Sequence, residues 1–171
     1  ECFANASALA WMKNLLDKNI GVNTIVATHG YLDSNGNYDS STAATGLWTN
    51  NLKSTLDSYP NVFLAVCGHN RGAKMNRSGN RPEILFDFQD ENNNTGAAAV
   101  RIYTFNLANK QVYASTYCID NKTWLLDPLS QFSFSATTMI PLATPALAAS
   151  AFSSATVMTG FTWYFFAHAS G

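Results

Sequence analysis

The stretch Asn61-Val-Phe-Leu-Ala-Val-Cys-Gly-His-Asn-Arg-Gly72 decides how the chain is read. Its apolar run, Val62 to Cys67, predicts a strand buried on both faces, as in parallel sheets covered by helices. Gly68 stops the run, and His69, Asn70 and Arg71 follow on a turn that Gly72 closes. In open α/β sheets, ligand sites form at the carboxyl ends of such strands. A second stretch, Asn23-Thr-Ile-Val-Ala-Thr-His-Gly-Tyr-Leu-Asp33, has the same form. If the two strands are neighbours, His29 and His69 arrive at one edge of the sheet.

Working outward from these strands, Ser7 predicts the cap of a helix running to about Asn19, with Leu9, Trp11, Met12, Leu15 and Leu16 as its core stripe. Val22 to Thr28 is the first predicted strand. Asp33-Ser-Asn-Gly-Asn37 is turn chemistry. A second helix is expected over Ala43 to Leu56, with Leu47, Trp48, Leu52 and Leu56 facing the core. Tyr59-Pro60 ends it and leads into the central strand. Strand, helix, strand in this order makes a βαβ unit with parallel strands.

Beyond Gly72 the pattern changes. Lys74 to Arg81 reads as a polar loop and Glu83 to Phe88 as a strand. Ala97 to Phe105 and Gln111 to Tyr117 alternate as a hairpin across Asn106-Leu-Ala-Asn109. Gln131 to Ser135 is an expected edge strand. The fold class is therefore α/β or α+β, a βαβ unit followed by an antiparallel meander, layered as a sandwich. Residues 1–135 form the expected domain, and 136–171 an apolar tail inclined to strands. From Pro128 to Gly171 there is no Asp, Glu, Lys or Arg. Met139 to Ala167 is apolar enough for a membrane span by length, but Pro141 and Pro145 and recurrent Ser/Thr favour strands that pack on this domain or on another subunit.

Composition narrows the partners. With 171 residues, one domain with a real core is expected. A net charge of -1 and 12% charged residues leave no basic surface for nucleic acid. Cys2, Cys67 and Cys118 include no Cys-X-X-Cys pair, so neither a zinc knuckle nor a disulfide framework is expected. Cys67 reads as a small buried apolar residue, and a Cys2–Cys118 bridge is left open. Sequons at Asn5, Asn76, Asn93 and Asn121 point to a secreted glycoprotein. No leader precedes the first helix, so a leader, or more than a leader, is expected to be missing.

Taken together, Ile25-Val-Ala-Thr-His29-Gly-Tyr-Leu-Asp33 and Val62-Phe-Leu-Ala-Val-Cys-Gly-His69-Asn-Arg71-Gly resemble a calcineurin-like metallophosphoesterase. Leu85-Phe-Asp-Phe-Gln89, Gly96, Arg101-Ile-Tyr-Thr-Phe105, Ala114-Ser-Thr-Tyr117 and Asp127-Pro-Leu-Ser-Gln-Phe132 extend the resemblance. It covers about residues 5–135 and corresponds to the family's carboxyl-terminal half. It implies half of a β-sandwich flanked by helices, carrying part of a site where two divalent metals (Fe, Zn or Mn) attack a phosphate ester. His29 matches the lone histidine on the second metal, and His69 the first histidine of the Gly-His-X-His element on that same metal. Arg71 stands where the second histidine belongs, and a guanidinium has no lone pair to give a metal. The family's Asp-X-His, Gly-Asp-X-X-Asp and Gly-Asn-His elements do not occur.

Two readings of the histidines are open: a pair of metal ligands, or hydrogen-bonded loop-end imidazoles. Arg71 either binds an anion bidentately or is a solvated turn residue. His168, in an aromatic strand, reads as structural. The functional expectation is a metallophosphoesterase-derived chain, inactive alone. The alternatives are an extracellular protein that self-assembles into oligomers or filaments by strand addition, and a membrane-attached remnant held by 139–167.

Overall fold

The computed structural model describes residues 6–77, 79, 81–88 and 99–140, and the backbone of 161–165. The first half contains α1 (Ala6–Lys18), β1 (Thr24–Thr28), α2 (Ala43–Asp57), β2 (Val62–Cys67), β3 (Gly72–Asn76) and β4 (Glu83–Asp87). Their strands form one sheet in the order β1-β2-β4-β3. β1, β2 and β4 run parallel, and β3 pairs antiparallel with β4. Thr42 starts α2 by accepting the Thr45 N–H on its hydroxyl at 3.0 Å, satisfying one of the first-turn donors. The expected βαβ unit is present, with β1 beginning at Thr24 rather than Val22.

The second half supplies β5 (Ala99–Asn106), β6 (Gln111–Cys118), β7 (Thr123–Leu125), β8 (Phe132–Ser135) and β9 (Phe161–Phe165). β5 and β6 form the expected hairpin, and β9 pairs with the other side of β5. β7 and β8 both pair with β6, over Thr116–Cys118 and Gln111–Ala114 respectively. The described residues thus form a mixed α/β fold with two helices and two sheets, one mixed and one antiparallel.

Two hydrophobic cores fix the layers. Leu16, Trp48, Leu52 and Leu56 from the helices cover Val62, Ala65, Cys67 and Leu85 on one face of the first sheet. On the opposite face Phe63, Leu64 and Ile84 meet Tyr103, Phe105, Val112, Ala114, Phe134 and Met139 of the second. The Val, Leu, Ile, Phe and Met side chains among them contribute about 1.5–3 kcal/mol each. β2 owes its double role to a bulge: Thr24 pairs with Val62 but Ile25 with Leu64. Phe63 is the extra residue, and both Phe63 and Leu64 join the inter-sheet core.

Three expectations are corrected. Lys74 does not lie in a loop: residues 72–76 are β3, an edge strand whose polar sequence reflects its one wet side. Ala73 is buried and Met75 packs on the inter-sheet core, while a lysine on an edge strand guards it against further pairing. β4 is not part of an antiparallel meander, because it pairs parallel with β2. The helix stripes are not wholly core. Trp11 is 66% and Leu47 64% exposed, since α1 lies over the outermost strand β1, and Leu47 precedes the face that Trp48 and Leu52 bury. β7, three residues long, gave no periodic signal.

The Cys2 partner of the proposed bridge, the sequons at Asn5 and Asn93, His168, and most of the 139–167 span lie outside the described residues. Among the described residues no helix is long and apolar enough to cross a membrane. Asn76 is half-buried at the end of β3 and Asn121 is exposed.

Arg101 joins β5 to the segment before β8. It is 1% exposed, with its guanidinium 4.2 Å from the Phe86 ring centre and 5.2 Å from that of Phe132. Nε donates to Thr116 Oγ1 at 3.1 Å, and Nη2 donates to the Leu129 carbonyl. Removing it strands buried acceptors and opens a void between two sheets. Arg101→Ala is expected to cost about 2–4 kcal/mol by denaturant unfolding. A loss under ~1 kcal/mol would mean the aromatic sandwich carries little of the stability.

Candidate metal-binding edge

β1 and β2 end at the same level, with Thr28 opposite Cys67. His29 follows β1 directly, and His69 follows β2 after Gly68. The Gly68 N–H donates to the His29 carbonyl at 3.0 Å, so the ladder continues one step past the strands. The two imidazoles consequently meet. His29 Nε2 lies 2.9 Å from His69 Nδ1, and the ring centres are 4.8 Å apart in an edge-on arrangement. Both residues are exposed.

A hydrogen bond between these nitrogens requires one N–H and one lone pair. If His29 donates from Nε2, His69 accepts at Nδ1 and must carry its own proton on Nε2. In the reverse case both rings are protonated on Nδ1. When both rings are uncharged, the two histidines share one tautomer.

The backbone at His69 is unusual. Its φ is +67°, and the Asn70 N–H donates to the Gly68 carbonyl at 2.8 Å across it. This closes a three-residue γ-turn of the positive-φ kind, which is rare and strained. Gly72, at φ +110°, then lets the chain reverse into β3.

Side chains with no predicted role at this edge hold the two turns. Asn70 Nδ2 donates to the Leu32 carbonyl at 2.8 Å and to Asp39 Oδ2 at 2.9 Å. Burial raises the Asp39 pKa, but hydrogen bonds from Ser41 and Asn70 outweigh it and hold the carboxyl below its ordinary value. Trp48 Nε1 donates to the Gly30 carbonyl at 3.2 Å, fixing the turn after His29 against α2. Tyr31 Oη donates to Glu83 Oε1 at 2.8 Å. Burial and the Glu83 carboxylate push the Tyr31 hydroxyl well above the usual range, so it stays a donor. Asn70 sits inside the quoted turn, and Asp39 opens the Asp-Ser-Ser-Thr capping run, but nothing in one sequence pairs them.

Around the histidines, Arg71 is exposed on the same turn. Burial pushes the Cys67 thiol up to about 12, so it stays protonated and offers no thiolate to an ion. His29 also lines one end of a groove of about 530 Å³ between α1, β1 and α2, with Met12, Val26, Trp48 and Leu52 among its walls. Among the described residues, no three His, Cys, Asp or Glu side chains gather closely enough to hold a metal ion.

Comparisons with protein-family models, with curated proteins and with solved structures found no match. The likeness to metallophosphoesterases therefore rests on the residues quoted above.

The strain at His69 has a measurable sign. His69→Gly relieves the positive φ, worth about 1–2 kcal/mol for a residue with a side chain, against glycine's greater unfolded-state freedom of about 0.4–1 kcal/mol. The expected result is unchanged or raised thermal stability for His69→Gly, and a Tm above that of His69→Ala. If His69→Ala were the more stable of the two, the backbone there would not be strained.

Proposed function

We propose that this chain derives from a metallophosphoesterase and carries the histidine part of a divalent-metal site at His29 and His69. The supporting observation is the 2.9 Å approach of His29 Nε2 to His69 Nδ1 at the carboxyl edge of neighbouring parallel strands. Two imidazole nitrogens converging in this way offer adjacent positions to one ion once the proton between them moves to the outer nitrogen of its ring. A divalent ion, Fe, Zn or Mn, supplies charge for a phosphoryl oxygen and lowers the pKa of a bound water. The chain's own contribution is to place two imidazoles on strand-end turns and a guanidinium, Arg71, two residues from one of them. Guanidinium geometry suits a phosphate group.

The fit is partial. Stable sites use three or four protein ligands, and the described residues bring two. On this reading the chain alone binds metal weakly, does not turn over phosphate esters, and functions outside the cell as part of a larger assembly. Zinc titrated into the protein is expected to shift the ring signals of both histidines in NMR, and His29→Ala or His69→Gly to abolish the response. Aryl phosphate hydrolysis should stay at background. Ring signals indifferent to zinc would sink the metal reading, and two ions bound tightly with sustained turnover would sink the inactive one.

A second reading, self-assembly by strand addition, is favoured by β1. Its described pairing is on the β2 side alone. Thr24 to Thr28 contains neither charge nor proline, the usual guards of an open edge. Ala27 is exposed and Trp11 lies in the same groove. A second copy pairing there gives a closed dimer, or a filament if the contact is head-to-tail. Light scattering is expected to show mass rising with concentration, and Ala27→Lys to hold the protein monomeric. A wild-type protein monomeric at millimolar concentration would rule this reading out.

A further inference from the structure

We infer that Asn70, anchored on Asp39, is the positioning residue that holds His69 against His29. The inference rests on reading the two histidines as a metal-binding pair, but its first test does not require metal.

A strained backbone persists only where its surroundings over-determine it. At His69 the next residue supplies this constraint. Both N–H groups of the Asn70 amide are committed, to the Leu32 carbonyl at 2.8 Å and to Asp39 Oδ2 at 2.9 Å. Leu32 and Asp39 both belong to the loop that follows His29. One side chain therefore ties the turn carrying one histidine to the loop carrying the other.

The anchor is itself immobile. Asp39 is 3% exposed. Its N–H donates to the Tyr31 carbonyl at 2.9 Å, and its Oδ1 accepts the Ser41 N–H at 2.9 Å. Tyr31 is held in turn by Glu83. A hydrogen bond to a charged acceptor is worth about 1.5–3 kcal/mol, comparable with the cost of about 1–3 kcal/mol for a residue in a sparsely populated backbone region. The amide clamp is thus strong enough to keep His69 at positive φ.

The test exchanges the two partners. Asn70→Asp is isosteric but cannot donate and faces the Asp39 carboxylate. Combining it with Asp39→Asn restores the bond to position 39 with donor and acceptor exchanged, while the Leu32 carbonyl stays without its donor. In metal-free wild type, long-range nitrogen–proton NMR should find both imidazoles in one shared tautomer. N70D is expected to return each ring to an independent tautomer mixture and to weaken cobalt(II) binding about tenfold, as loss of an orienting partner does elsewhere. The double variant should recover the shared tautomer in part, through the restored bond to position 39. If N70D does not fold, Asn70→Ser, which shortens the reach without adding charge, carries the same expectations.

Wild-type ring signals in a folded N70D or Asn70→Ser protein would overturn the proposal, even with a lowered Tm, since Asn70 would then be only a structural turn residue. Ring signals that respond as expected while no variant binds cobalt would support the clamp and refute the metal reading.

Discussion

Thr28 stands opposite Cys67, and this parallel register governs what the molecule can do. Parallel strands deliver their carboxyl ends to the same edge, so residues one or two steps beyond them become neighbours although 40 positions apart in the chain. Antiparallel pairing would have sent His29 and His69 to opposite ends of the sheet. The crossover helix α2 enforces the choice, because Trp48, Leu52 and Leu56 must cover the face on which Val62, Ala65 and Cys67 lie. Everything proposed about the edge depends on that covering.

Beneath the edge lies a chain of charges in which each side chain has a partner, although Arg81 Nε and Glu83 Oε2 stay buried without one. Glu83 Oε1 accepts from Tyr31 at 2.8 Å and from Arg81 Nη2 at 3.3 Å. Arg81 also reaches Asp57 Oδ1 at 2.9 Å, and Asp57 Oδ2 accepts from Lys53 at 2.6 Å. Burial raises the Asp57 pKa, but Lys53 and Arg81 more than compensate and hold it below the ordinary value. Buried ion pairs of this sort are weak sources of stability, yet breaking one is costly because the survivor is left uncompensated. Their effect here is geometric. They pin the amino end of β4, the last turn of α2 and the loop after His29 to one another.

Much of the first half was legible from sequence because its signals are local. Val62 to Cys67 is apolar throughout, and α2 has a periodic stripe. What escaped the sequence was set by partners far away. β3 is polar because it is an edge strand, so its burial pattern resembles a loop until β4 is placed beside it. Trp11 looks like core in any helical projection, and only the position of α1 over the last strand leaves it wet. At the edge, His29 and His69 could be nominated from their matching strand-glycine contexts. The Asn70–Asp39 bond could not, since it joins loops 31 residues apart whose approach follows from the register of strands.

Asn23 has a temporal consequence. Its side-chain amide makes a two-way contact with the backbone of Ile140, donating to the carbonyl at 2.6 Å and accepting from the N–H at 2.6 Å. The amide stands in for a strand neighbour just before β1, and the contact spans 117 positions. Contacts of such long range are slow to form, because loop closure must precede any stabilisation they bring. As the chain leaves the ribosome, the first sheet has all its strands once Asp87 has emerged. The inter-sheet core still lacks Phe134 and Met139. Nascent protein therefore carries an open apolar face over some fifty residues of synthesis, an interval of several seconds at about 5–20 residues per second.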